Sequence, residues 1–160
     1  MAADLENTLY LEVPTGRVVI EMRPDLAPNH CAQIKELVRK GFYDGIPFHR
    51  VIAGFMVQTG CPRGDGTGGS GRKLKAEFSR EKHLRGVCSM ARAASPDSAD
   101  SQFFIMLGDS PHLDGQYTVW GKVTSGMEHI DAIKKGSASN NGAVANPDRI
   151  ASFKVAADAA

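Results

Sequence analysis

The sequence predicts a mainly β domain in which many short strands are joined by turns and accompanied by two helices. Apolar and polar residues alternate with a period of two in several short runs. These runs are separated by turn residues, since 17 Gly and 8 Pro occur among 160 residues. Only two segments show the residue spacing of an amphipathic helix. This pattern indicates a β-sandwich or a β-barrel, and composition does not decide between them.

The residue pattern of the N-terminal part predicts a β-hairpin followed by a helix. Thr8 to Val13 and Arg17 to Met22 alternate around Pro14-Thr15-Gly16, as two strands joined by a short turn do. Pro28 suits the first turn of a helix, and Gly41 suits the position just after its end. One face of this helix is expected to cover an end of the β structure through its apolar residues, which are Cys31, Ile34, Leu37 and Val38.

Six further strands and a second helix complete the prediction. The strands are expected at Phe48 to Val51, Met56 to Thr59, Val87 to Ala91, Gln102 to Met106, Val119 to Thr124 and Ile150 to Ala156. The helix is expected at the opposite end, because an apolar face, basic residues in the last turn and a terminal glycine follow in order at Met127, Ile130, Ile133, Lys134, Lys135 and Gly136. Residues 1–160 are expected to form a single domain with a core from about 8 to 156.

Composition and charge exclude several classes of partner. A net charge of +1 offers no electrostatic attraction for nucleic acid or an anionic membrane. The N-terminus has neither a basic nor an apolar segment of the signal-peptide type, and no apolar run is long enough to span a bilayer. We therefore expect no nucleic-acid and no membrane partner.

Cysteine and histidine usage argues against disulfide and metal chemistry. Cys31, Cys61 and Cys88 are an odd number without CxxC spacing, which indicates reduced thiols and a cytoplasmic location. Buried, inert thiols are expected, rather than a nucleophile. The five histidines show neither HExxH nor i, i+4 pairing on a helix. No metal is expected.

The segment from Phe48 to Gly60 carries the strongest functional signal. Its alternation directs Arg50, Phe55 and Gln58 to one surface, while the valines at 51 and 57 turn to the core. Arginine has five donors and stays charged, so it cannot serve as a proton-transfer base and is suited to polarising an amide. A charged group beside an apolar pocket indicates binding or electrostatic catalysis without a covalent step.

The glycine-rich loop from Gly64 to Lys73 suggests a different function, because it contains G-x-G-x-x-G and approximates a phosphate-binding loop. No helical periodicity follows it, and Arg72 and Lys73 stand where a P-loop needs lysine and Ser or Thr. The preferred interpretation is a long loop with positive φ angles that lines a groove for an extended peptide.

Four motifs occur together in a fixed order: Phe48-His49-Arg50 through Phe55-Met56-Val57-Gln58, then Gly66-Thr67-Gly68-Gly69, Ser101-Gln102-Phe103-Phe104-Ile105 and Leu113-Asp114-Gly115. In these motifs the chain resembles the cyclophilin-type peptidyl-prolyl cis-trans isomerases, from about Thr8 to Val155. The resemblance implies a closed eight-stranded antiparallel β-barrel capped by two α-helices. It also implies isomerisation of Xaa-Pro bonds without a cofactor, in unfolded or flexible polypeptides, which assists protein folding.

The resemblance further implies a set of site residues. Arg50 would be catalytic. The proline ring would enter an apolar slot made by Phe55, Met56, Phe104 and Leu113. Gln58 and Gln102 would hold Arg50 and the peptide backbone. The rest of the groove would be lined by Gly66, Ala91, Arg92, Ala93 and Tyr117, and His112 would lie at the rim of the proline slot.

Three positions depart from the best-known members of this family. Arg92 replaces a common asparagine, Tyr117 replaces a histidine that often closes the pocket, and His112 replaces a tryptophan typical of drug-sensitive enzymes. Together with a longer segment from Ala94 to Asp100, these features are similar to small bacterial-type cyclophilins. Cyclosporin is therefore expected to bind with reduced affinity.

Two alternatives of different classes remain beside a monomeric isomerase. A proline-peptide-binding or chaperone module would use the same pocket with incidental turnover. A nucleotide-dependent enzyme would use the glycine loop, and ATP or NAD would then stabilise the fold. Arg50 distinguishes the first alternative, because binding alone has little need of it.

Overall fold

The computed structural model describes residues 4–137, 139 and 141–159. Its strands are β1 Thr8–Val13, β2 Gly16–Met22, β3 Arg50–Ile52, β4 Met56–Thr59, β5 Val87–Met90, β6 Phe103–Met106, β7 Val119–Ser125 and β8 Ser152–Val155. Its helices are α1 Pro28–Arg39 and α2 Met127–Asp131. Among the described residues, no helix is long and apolar enough to cross a membrane.

All eight strands belong to one antiparallel sheet in the order β3-β4-β6-β5-β7-β2-β1-β8, which curls into a half-barrel. The mainly β class, the strand number and the two helices are thus confirmed. Strands β3 and β8 begin two residues later than predicted, because the residues expected to open them pair elsewhere. The Phe48 N–H donates to Asp148 O at 2.8 Å, and the Ile150 N–H donates to Ile46 O at 2.9 Å.

Helix α1 forms as its end signals predict. Pro28 occupies the first turn, where a missing N–H has no effect on the helix. Glu77, from a distant loop, accepts the His30 N–H at 2.9 Å and so caps the N-terminus. At the other end Gly41 has φ 73°, and the Gly41 and Phe42 N–H groups donate to Val38 O and Leu37 O. These bonds form a Schellman motif, which only a residue that tolerates positive φ can close.

Helix α2 is shorter than predicted. It ends at Asp131, so the prediction that Lys134 and Lys135 lie in its last turn was wrong. The Lys134 N–H donates to Asp148 Oδ2 at 2.9 Å, which removes it from the helical ladder. Gly136 is not a helix stop either, because its N–H donates to Val51 O at 2.9 Å.

The two faces of the sheet carry separate apolar clusters. In β6, Phe103 and Ile105 point into the main core, whereas Phe104 and Met106 point to the opposite face. Trp120 is fully buried in the main core, and its ring centroid lies 5.3 Å from that of Phe103. Strand periodicity therefore leaves Phe104 as the floor of an outer cluster, beside which the candidate site lies.

Candidate active site

A small cavity of about 130 Å³ lies on the outer face of β4 and β6. Nine predicted site residues line it, and these are Arg50, Phe55, Met56, Gln58, Ala91, Arg92, Phe104, Leu113 and Tyr117. Its volume is below the roughly 300 Å³ at which cavities for drug-sized ligands begin. The cavity therefore suits a single small apolar ring with a charged group at its edge.

The register of the strands places the charged edge of the cavity beside its apolar floor. Arg50 of β3 is the partner of Gln58 in β4, Gln58 is the partner of Phe104 in β6, and Phe104 is the partner of Ser89 in β5. Cross-strand partners project on the same face of a sheet. The four side chains thus form one row, and Val51 and Val57 project into the main core as predicted.

Three hydrogen bonds hold the half-buried Arg50 side chain. Its Nη1 donates to Gln58 Oε1 at 3.1 Å. Its Nε donates to the main-chain O of Asn141 at 2.9 Å, and its Nη2 donates to Asn141 Oδ1 at 3.1 Å. Sequence reasoning did not find Asn141, and no local motif signals a contact across 91 positions.

The two predicted glutamines form a chain from Arg50 to the glycine loop. Gln58 Nε2 donates to Gln102 Oε1 at 3.0 Å. Gln102 Nε2 donates to the main-chain O of Gly66 at 2.9 Å and of Gly68 at 3.0 Å. The orientation of Arg50 and the position of the loop are therefore coupled through side-chain amides.

A second cavity of about 320 Å³ continues the groove past Gln58 and Ala91. Three more predicted residues, Gly66, Ala93 and Gln102, line it. His112 is the one predicted site residue that lines neither cavity. It is exposed, and its ring centroid lies 5.9 Å from that of Phe55. The structure thus places twelve predicted residues in one groove and His112 at its rim.

Main-chain N–H groups of the glycine loop, which a bound phosphate would need as donors, donate instead to carboxylates of the protein. The Ser70 and Gly71 N–H groups each donate to the Asp100 carboxylate at 2.9 Å. The Thr67 N–H donates to Asp65 Oδ1 at 2.9 Å. A phosphate-binding loop instead directs its free N–H groups to the ligand, at the start of a helix. This arrangement favours the groove-lining interpretation over nucleotide binding.

Arg92 and His83 support the walls of the small cavity. The Arg92 guanidinium carbon lies 4.7 Å from the Tyr117 ring centroid, and Arg92 Nη2 donates to Gln116 O at 2.8 Å. His83 is buried and stacks on Phe104, with ring centroids 6.1 Å apart. Its two ring nitrogens contact Asp114 Oδ1 at 3.1 Å and Ser89 Oγ at 2.9 Å. His83 thereby joins the cavity floor to the loop after Leu113.

This buried histidine predicts a pH-dependent stability. Burial lowers the pKa of His83, although Asp114 opposes the shift. In the folded protein His83 therefore stays neutral at pH values where the unfolded chain already binds a proton. The free energy of unfolding is expected to fall as the pH drops below about 6.5, by at most about 1.4 kcal/mol per pH unit for this group. Urea titrations of wild type and His83→Gln from pH 7 to pH 5 measure this change in the free energy of unfolding. Wild type should lose more stability, and parallel curves would contradict the prediction.

Among the described residues, no group of three or more His, Cys, Asp or Glu side chains is placed to hold a metal ion.

A family model and curated relatives both match this chain, and they point to the same family. The model of the family "Cyclophilin type peptidyl-prolyl cis-trans isomerase/CLD" matches residues 8–155. A probable peptidyl-prolyl cis-trans isomerase of Brucella suis is 56% identical and covers 98% of this chain and 86% of its own length. Peptidyl-prolyl cis-trans isomerase B of Bacillus subtilis is 46% identical, over 82% of this chain and 93% of its own.

Solved structures agree with the family at the level of the fold. The cyclophilin AquaCyp293 from Hirschia baltica superposes with a TM-score of 0.89 at 28% identity, over 100% of this chain and 77% of its own. A Cryptosporidium parvum cyclophilin, crystallised in the presence of the dipeptide Ala-Pro, gives a TM-score of 0.83 at 27% identity, over 92% and 98% of the two chains.

Proposed function

Because the chain belongs to the cyclophilin-type peptidyl-prolyl cis-trans isomerase family, it is a peptidyl-prolyl cis-trans isomerase, and we propose that Arg50 is its catalytic residue. The observation that supports this role is the position of Arg50 at the edge of a cavity lined by Phe55, Met56, Phe104 and Leu113. Charge and apolar surface meet there, as a prolyl amide requires.

The reaction needs no nucleophile. An Xaa-Pro amide resists rotation because its C–N bond has partial double-bond character, with a barrier of roughly 18–20 kcal/mol and an uncatalysed time of about 10–100 s at 25 °C. A donor directed at the prolyl nitrogen localises the lone pair and so lowers the barrier. A gain of about five decades needs about 7 kcal/mol of preferential transition-state binding, which one charged contact and correct orientation can supply.

Arg50 retains donors for this task. A guanidinium has five N–H groups, and within the part of the chain that the structure describes three of them are used, by Gln58 and Asn141. The two that remain belong to the terminal nitrogens. We assign one of these to the prolyl nitrogen as it becomes pyramidal, and the other to the neighbouring carbonyl oxygen.

The substrate is a proline-containing polypeptide. The proline ring would occupy the 130 Å³ cavity, and the residues before it would extend along Ala91, Arg92 and Ala93 toward the glycine loop. The related cyclophilin studied with Ala-Pro supports this class of ligand. We propose unfolded or flexible chains as natural substrates, since an extended segment fits an open groove and folding proteins present such segments.

A peptide-binding or chaperone module with incidental turnover is the second candidate. The apolar cavity would serve either function. Only catalysis needs a guanidinium held by three hydrogen bonds with two donors free. A protease-coupled isomerisation assay on an Xaa-Pro tetrapeptide separates the two: the isomerase accelerates exchange catalytically at low enzyme concentration, whereas a module that binds peptide and leaves the rate unchanged would refute the catalytic role.

Cyclosporin should bind weakly because His112 offers less apolar area than an indole. Losing several tens of Å² of contact costs on the order of 1–2 kcal/mol, so that affinity is expected to be about tenfold below that of family members with tryptophan. His112→Trp should tighten cyclosporin binding and change turnover little, because His112 does not line the cavity. Calorimetric titration of both proteins measures the difference. Equal affinity would show that this position does not control sensitivity.

Closure of the barrel is a further proposal. The segments before β3 and β8 approach each other, with an antiparallel bridge between Pro47 and Arg149. Main-chain bonds from Phe48 to Asp148 and from Ile150 to Ile46 flank this bridge. We propose that these contacts close the half-barrel where the ladders of β3 and β8 end.

We also propose a monomeric, single-domain enzyme that works in the cytoplasm. Residues 8–155 match one family model, and the eight strands within that range form one sheet, which supports the single domain. All three cysteines are free and buried, which supports a reducing compartment.

A further inference from the structure

Asn141 holds Arg50 by two acceptors on the same edge of the guanidinium. The main-chain O binds Nε and the side-chain Oδ1 binds Nη2, at 2.9 and 3.1 Å. Gln58, on the neighbouring strand, contacts only Nη1. We infer that Asn141 is a positioning residue that fixes the rotation of the guanidinium, an inference that rests on the catalytic role proposed for Arg50.

The loop that carries Asn141 is attached firmly to β3. The Val51 N–H donates to Gly142 O at 2.8 Å, and the Val144 N–H donates to His49 O at 3.2 Å. The Gly142 N–H donates back to Ser137 O at 2.8 Å. The main chain next to Asn141 is therefore bonded to the strand that carries Arg50, which places the Asn141 acceptors beside the guanidinium.

Backbone conformation explains why Asn-Gly stands here. Asn141 has φ 54°, a conformation that asparagine tolerates better than most residues with a side chain. Gly142 has φ 80°, and a Cβ on it would lie 2.6 Å from Ile52 Cγ1 and 3.2 Å from Arg50 Cγ. The pair thus lets the loop approach β3 closely while it keeps one side-chain acceptor for Arg50.

The geometry has a consequence for catalysis. A guanidinium bound only at Nη1 could turn as a planar unit about its Cδ–Nε bond and direct its free donors away from the cavity. With one edge bound to Asn141, the two remaining N–H groups keep a fixed direction. Asn141 should accordingly influence the catalytic step more than peptide binding, because a misdirected donor loses its contact mainly in the transition state.

Asn141→Gly tests this role, because glycine tolerates the positive φ and retains the main-chain acceptor. The matched control is Asn146→Gly, which replaces the same residue type at φ 51° outside the cavities that hold Arg50. In Asn141→Gly we expect kcat to fall about tenfold and KM to stay unchanged, because the variant loses one charge-assisted hydrogen bond to Arg50. Asn146→Gly should keep wild-type kinetics and a similar melting temperature. Wild-type kcat in Asn141→Gly would overturn the inference.

A double-mutant cycle separates positioning from general damage to the loop. In an Arg50→Ala background, Asn141→Gly should change residual turnover less than twofold, since it acts through Arg50. A tenfold loss in that background too would overturn the inference in favour of a structural role.

NMR of the arginine side chain provides a test that does not depend on turnover. Wild type should show slow rotation of the Arg50 terminal NH2 groups, and Asn141→Gly should show faster rotation. Identical rotation rates would overturn the inference. If Arg50→Ala instead retained full activity, the proposed function of Arg50 would fail, while this NMR comparison would still decide whether Asn141 fixes the guanidinium.

Discussion

Replacement of Arg50 by alanine is expected to lower kcat by about 10²–10³, the usual loss for one preorganised donor that stabilises a transition state. The fold should persist, because Arg50 is half-buried and its loss leaves Gln58 bound to Gln102. A stability loss of about 1–2 kcal/mol is expected from the broken hydrogen bonds. Circular dichroism and an isomerisation assay on the same preparation measure both effects. Wild-type kcat in the folded variant would refute electrostatic catalysis.

Two variants sharpen this experiment. Arg50→Lys should recover only part of kcat, because an ammonium cannot bind Gln58 and Asn141 on two edges and still present a fork to the peptide. Arg149→Ala removes an arginine that donates to Gly45 O and lines neither cavity of the groove. This matched variant should keep wild-type turnover.

Loss of the cavity floor is expected to have the second largest effect. Phe104→Ala removes a buried ring that, in the proposed binding mode, contacts the proline in both ground and transition states, so that peptide affinity and kcat/KM should fall together, by about 10- to 100-fold. It should also destabilise the fold by about 3–5 kcal/mol, as large-to-small core changes do. Phe55→Ala should show the same kinetic pattern with less destabilisation, because Phe55 is only half-buried.

NMR titration with a proline tetrapeptide measures the affinities. Phe78→Ala is the matched control, since Phe78 is an aromatic residue with 43% of its surface exposed and lines neither cavity. It should bind the peptide as wild type does. Unchanged affinity in both Phe55→Ala and Phe104→Ala would mean that the proline binds elsewhere.

Local periodicity made the centre of the site predictable. Alternation along β3 and β4 determines that Arg50 and Gln58 share a face, and that Val51 and Val57 share the other. The Pro28 and Gly41 signals likewise predict both ends of α1, because a helix start and a Schellman motif depend on residues close in sequence.

Features made by distant segments could not be predicted in this way. Asn141 reaches Arg50 across 91 positions, and nothing near position 141 signals that contact. Helix α2 ends early because Asp148 takes the Lys134 N–H, a competitor that helical periodicity does not contain.

The most direct test of the mechanism is one NMR experiment on ¹⁵N-labelled protein with an Ala-Pro tetrapeptide, which reports the exchange rate of the peptide and the location of its contacts together. Catalysis in the groove predicts accelerated cis-trans exchange, with chemical-shift changes concentrated at Arg50, Phe55, Ala91, Gln102 and Phe104, and the loss of that acceleration in Arg50→Ala. Accelerated exchange with shift changes confined to another surface, or exchange at the uncatalysed rate while these residues bind peptide, would contradict it.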